Sequence, residues 1–167
     1  MSSAKKVLLI RSSLDQEQIA TFKILLIKEG FDVKDIRSDD CVQLILTNDL
    51  LNAKKNEELL SLFEPCIDEA ELIVVLVDKS IKDEMLPALL IEFAAKKGKY
   101  ILAVLLNEIQ DDDIPQQIVE FGNGGIVSID EVNLFDILRE KEEVWQQSDA
   151  TEREKPLATR HKPKECK

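Results

Sequence analysis

Apolar residues along this chain alternate between two rhythms, short continuous runs and stretches repeating every three to four positions. The clearest instance is residues 70–106, AELIVVLVDKSIKDEMLPALLIEFAAKKGKYILAVLL. Leu72 to Val77 is an unbroken apolar run, the pattern of a strand covered on both faces. Leu86, Leu89, Leu90, Phe93 and Ala94 follow at helical spacing, and Lys96, Lys97 and Gly98 close the helix. Tyr100 to Leu106 reads as a second buried strand. Two such strands bridged by an amphipathic helix form a βαβ unit with a parallel pair of strands.

The same alternation runs through the rest of the sequence. Residues 6–11 read as a first strand. Asp15, with Gln18 three residues on, suggests a capped helix start, and Ile19, Phe22, Leu25 and Leu26 carry that helix to Gly30. Residues 31–36 form a shorter strand with Phe31, Val33 and Asp35 on one face. Residues 41–51, CVQLILTNDLL, fit a strand and a helix equally well. A helix over 54–68 carries Leu59, Leu60 and Phe63 and bends near Pro65. Asp111 to Asp113 form an acidic turn before a short helix through Val119. Gly122, Gly124 and Gly125 turn the chain into a last strand at 126–129. Asp130 then caps a final helix that buries Leu134, Ile137, Leu138 and Trp145. Five strands with intervening helices predict an α/β fold, a flavodoxin-like three-layer sandwich with a mainly parallel five-stranded sheet.

Composition narrows the function. A length of 167 residues suits one domain with a substantial core. The domain is read as 1–147, followed by a charged tail, 148–167, predicted to be disordered. No apolar run reaches 18 residues, so insertion into a membrane is not expected. The start, MSSAKKVLLI, continues into polar RSSLDQEQ and reads as a strand, not a signal peptide. Three cysteines and one histidine, His161, give neither a disulfide framework nor zinc-ligand spacing. A reducing cytoplasm is the expected compartment, and no metal site is assigned. Asp35, Asp39 and Asp40 read as a polar turn in preference to a Mg²⁺ pocket. The net charge is −11. Six basic against four acidic residues make the tail +2, so the remainder carries −13. Such a body repels phosphate backbones, which argues against nucleic acid as a partner.

In order and spacing, residues 5–145 resemble the Toll/interleukin receptor (TIR) domain family. KKVLLIRSSLDQEQIATFKILLIKEGFDVKDI is similar to the family's first strand, first loop, first helix and second strand. ELLSLFEPCIDEAELIVVLVDKS resembles the helix and strand before its serine-containing loop. LLIEFAAKKGKYILAVLL resembles its acidic helix and fourth strand, and DDDIPQQIVEFGNGGIVSIDEVNLFDILRE its variable loop, fifth strand and closing helix. The resemblance implies a cytoplasmic signalling or innate-immunity domain whose partners are other TIR domains or copies of itself.

For NAD-cleaving members it also implies a catalytic glutamate on the helix after the third strand, which here is Glu92. A carboxylate beside C1′ stabilises developing oxocarbenium character as nicotinamide leaves. Arg11, Ser12 and Ser13 in the first loop and Ser80 before the helix match the family's ligand-contact positions, with NAD as substrate and no separate cofactor required. The chain departs from the family at Met85, Leu86 and Pro87, where an aromatic residue often precedes the glutamate. Ile10-Arg11 replaces the usual aromatic end of the first strand, and RSDDC at 37–41 replaces a Pro-Gly loop used in TIR–TIR contacts.

Three readings stay open at this point: an NAD glycohydrolase, a catalytically inactive TIR-like scaffold, and a nucleoside deoxyribosyltransferase-like enzyme. The last lacks the expected glycine-bearing loop in VDKSIKDEMLP. Glu92 also has a plain structural role available, an (i, i+4) ion pair with Lys96 worth roughly 0.2–0.5 kcal/mol.

Overall fold

The computed structural model describes residues 5–14, 17–36 and 56–147. The ambiguous segment 41–51, the loop 37–41, the candidate cap Asp15 and the tail 148–167 lie outside the described residues. So do the side chains of Leu59 and Leu60.

The elements run β1 (Lys6–Ile10), α1 (Glu17–Lys28), β2 (Asp32–Asp35), α2 (Asn56–Glu69), β3 (Leu72–Val77), α3 (Met85–Lys96), β4 (Tyr100–Leu105), α4 (Gln116–Phe121), β5 (Gly125–Ser128), α5 (Leu134–Glu140) and β6 (Val144–Trp145). All six strands form one parallel sheet in the order β2-β1-β3-β4-β5-β6. The α/β sandwich with helices flanking a parallel sheet is thus as the hydrophobic pattern predicts. Every residue of β3 is buried, and in β4 only Tyr100 is partly exposed. A strand can bury both faces only if helices cover both. α1 and α5 meet through Phe22 and Phe135, whereas α3 packs against α2 and α4. Lys97, one residue past α3, ties that layer together by binding Glu64 at 2.6 Å and Asp68 at 2.7 Å on α2.

Among the described residues the sheet has six strands, one more than predicted. Trp145 belongs to β6 and not to the final helix, because Lys141 adopts a left-handed conformation (φ 54°, ψ 46°) and ends α5 at Glu140. That cap is unusual for a side chain larger than glycine or asparagine, so nothing in the local sequence announces it. The strand pairs Gly125 with Val144 and Ile126 with Trp145. Gly125 has φ +89°, and a Cβ there would stand 1.9 Å from the Val144 carbonyl oxygen. Only glycine allows this edge to form.

The start of α5 also differs. Its N-cap is Asn133, not Asp130. Asp130 instead receives a hydrogen bond from the Asn107 amide, and its own N–H donates to Ser128 Oγ. Cys66, buried on α2, is disulfide-bonded, which the odd cysteine count did not suggest. No described helix is long and apolar enough to cross a membrane.

Candidate functional site

Parallel strands end together, so the residues just past β1, β2 and β3 gather at one edge of the sheet, where open α/β folds hold ligands. Arg11, Ser12, Asp35 and Asp78 stand there, each at most 6% exposed. Burial on this scale requires internal partners, and the four residues supply them to one another.

The Arg11 Nε lies 2.9 Å from both carboxylate oxygens of Asp35. Lys23 from α1 adds a second cation at 3.3 Å. The Arg11 Nη1 donates to the carbonyls of Ser12 and Leu14, which holds the first loop against the sheet. Ser12 Oγ donates to Asp78 Oδ2 at 2.6 Å. The other Asp78 oxygen accepts the backbone N–H groups of Ser80 and Ile81, together with the Ser80 hydroxyl. Asp78 therefore holds the start of the 3₁₀ turn Ile81–Asp83, where Ser80 occupies the N-cap position without a side-chain capping bond of its own. Ser13 is held by Glu84, which accepts from its N–H at 3.1 Å and from its hydroxyl at 2.9 Å.

The four residues expected to contact ligand, Arg11, Ser12, Ser13 and Ser80, are thus brought together. Their donors, however, point at carboxylates of the same edge. Three acids (Asp35, Asp78, Glu84) stand against two cations (Arg11, Lys23), so the cluster offers little attraction for a pyrophosphate. Asp35 is part of this ion-pair network, and among the described residues no cluster of three or more metal-type ligands exists. Sequence reading missed Glu84 and Lys23 as members. Glu84 is 71 residues from Ser13, and nothing local marks the pairing.

Glu92 lies outside this hydrogen-bonded cluster. On α3 the buried positions are Leu86, Pro87, Leu90, Ile91 and Ala94. At 100° per residue, Glu92 falls on the opposite stripe with Met85, Leu89 and Lys96. Met85 is 62% exposed and Lys96 is exposed, while Glu92 is half-buried. The ion pair with Lys96 does not form within 4 Å among the described residues, where Lys97 makes the α3-end contacts instead.

The most conspicuous surface lies elsewhere. On α1, Ile19, Phe22 and Leu26 are buried, and Ile24, Leu25 and Ile27 are 56%, 41% and 55% exposed. Leu14, just before the helix, is 51% exposed. Ala20, Ile24 and Ile27 form an outward apolar stripe at helical spacing. A helix that is apolar on its outer side as well as its inner one has surface to cover.

No protein-family model matches this chain, and no curated protein is found similar to it.

Proposed function

We propose that this chain is a TIR-like protein-interaction module that works by self-association, with no use of Glu92 for NAD cleavage. The resemblance in order and spacing supports the family part of this reading. The observation that carries the functional part is the outer stripe of α1, where Ala20, Ile24 and Ile27 are apolar and exposed, the two isoleucines by more than half, in a chain of net charge −11. Isolated apolar residues on a surface need no explanation, but a contiguous patch on one helix marks a contact surface.

Cleaving the nicotinamide–ribose bond by hydrolysis needs a carboxylate beside C1′, further groups that hold the ribose and pyrophosphate, and a water positioned to take the ribosyl group as nicotinamide leaves. Glu92 is half-buried on α3, outside the hydrogen-bonded cluster, and the hydroxyls and cations of the sheet edge are committed to Asp35, Asp78 and Glu84. An enzyme working there would have to break these bonds before binding its substrate. A scaffold uses the same bonds to hold the first loop and α1 in place.

Incubating the full chain with NAD at high protein concentration, with light scattering on the same sample, tests the reading. The expected result is concentration-dependent assembly without release of nicotinamide. Nicotinamide release that disappears in Glu92→Ala would overturn it in favour of the glycohydrolase.

A further inference from the structure

Between α1 and α5 lies a concavity of about 220 Å³. Its walls are mainly apolar, with Phe22 and Leu25 beside the polar Gln18 and Thr21 on one side and Ile129, Leu134 and Phe135 on the other. Its upper rim, past the end of β5, carries Asp130 and Glu131. At the lower end of the two helices Arg139 reaches across from α5 to α1, its Nη2 donating to the Glu29 carbonyl at 2.9 Å and to the Glu29 carboxylate at 2.6 Å. That cation is neutralised by its partner. Among the described residues no lysine or arginine lines the concavity, so the acids at the upper rim face it without a counter-charge there.

Glu131 is held in its ionised form. The Asn133 N–H and then the Gln146 side chain donate to it, which lowers its pKa below the ordinary carboxylate value. The same two bonds fix its position, since Gln146 is anchored in turn on the Ser128 N–H.

Size and charge together select the occupant. Small-molecule and cofactor sites enclose roughly 300–1,000 Å³, more than this space offers. It can seat one or two apolar side chains. A second copy of the chain would bring a body of the same negative sign toward the acidic rim. A basic protein segment would be drawn in by the rim and by the net charge behind it.

We infer that the α1–α5 groove docks a basic segment of a partner protein, an apolar side chain seated against Phe22 and Phe135 and a neighbouring lysine or arginine facing Asp130 and Glu131. The inference rests on the interaction-module reading and names the partner class of one of its surfaces. The outer stripe of α1, Ala20, Ile24 and Ile27, stays open for self-association, because the groove uses the adjoining stripe through Leu25.

Fluorescence anisotropy tests this with the full chain and a labelled helical peptide of leucines at i, i+3, i+4 and i+7 and lysines elsewhere. The control is the same peptide with glutamate in place of lysine. Wild type should bind the lysine peptide and ignore the glutamate one. Leu25→Glu, at a position 41% exposed and so tolerable to the fold, should weaken binding about tenfold or more. Asp130→Lys, on an exposed side chain, should weaken it too. Equal binding by wild type and Leu25→Glu would mean diffuse charge attraction and would overturn the groove. So would loss of self-association in Leu25→Glu, since the occupant would then be a second copy. If wild type self-associates but does not bind the peptide, the groove falls and the module reading stands. If it does neither, both fall.

Discussion

Phe22 and Phe135 stack with ring centroids 6.2 Å apart and planes 20° from parallel, joining the first helix to the last. Phe31 approaches the same ring at 6.5 Å, and Arg139 lies 5.4 Å over Phe31. These contacts hold α1 in a fixed setting while its outer residues remain uncovered. Offset aromatic pairs add about 0.5–1.5 kcal/mol beyond area burial. Phe135→Ala should therefore cost about 2–3 kcal/mol, less than the ~3–5 kcal/mol of a fully buried phenylalanine, because this ring is only partly covered. Urea unfolding measures the loss, and a change below 0.5 kcal/mol, a rough threshold for surface substitutions, would deny the pair a structural role.

The Arg11–Asp35 contact ties the end of β1 to the end of β2. Removing one member of a buried ion pair costs about 3–5 kcal/mol, because the other is left buried with poorer compensation. Arg11→Met should fall in that range, softened by Lys23 at 3.3 Å. The double variant Arg11→Met/Asp35→Leu should be less destabilised than the sum of the two singles, as a thermodynamic cycle in urea would reveal. Additive losses would show that the two groups act separately.

Tyr100 is the only tyrosine in the chain, so its ionisation can be read directly from phenolate absorbance. Burial, and after it the charges of Glu142 and Glu143, raise its pKa above the ordinary 10.0. Its hydroxyl donates to the Glu142 carbonyl. A group with a raised folded pKa contributes stability that is complete below the unfolded value and is lost as pH rises toward the folded one. The native protein should thus show no phenolate near pH 10, and its stability should decline only above that pH. Phenolate appearing at the ordinary value without unfolding would contradict the partly buried, acid-flanked position of the ring.

Gly125→Ala should detach β6. The Cβ would collide with the Val144 carbonyl, and the positive φ adds strain of order 1–3 kcal/mol. Hydrogen exchange is the suitable readout: the amides of Val144 and Gln146, bonded to Gly124 O and Ile126 O, should lose protection first. Retained protection would mean that the edge tolerates a side chain.

Much of this fold was legible because strands and helices have distinct apolar periods. Leu72 to Val77 could be read to the residue, since a strand covered on both faces needs no alternation. The final strand could not: two residues carry no period, and their pairing depends on a left-handed Lys141 and a glycine far upstream. At the sheet edge, Arg11, Ser12, Ser13 and Ser80 were singled out by the family resemblance, and they meet because parallel strands end together. What they bind was not, since Asp35, Asp78 and Glu84 come from other segments and only the tertiary fold decides where each donor points. Glu92 was legible as a carboxylate in the second turn of α3. Its stripe follows from the burial of Leu86, Leu90, Ile91 and Ala94; the helical spacing puts Leu89 and Phe93 on the inner face, where the structure buries Ile91 and leaves those two half-buried.

The most direct test of the interaction-module account is sedimentation velocity of the full chain across protein concentration, for wild type and for Ile24→Lys/Ile27→Lys. Both substituted positions are more than half exposed, so the variant should fold. Wild type should assemble as concentration rises, and more readily at high salt, because screening relieves the repulsion between copies of charge −11. The variant should stay monomeric under the same conditions. A wild type that remains monomeric throughout, or a variant that assembles as wild type does, would contradict the account.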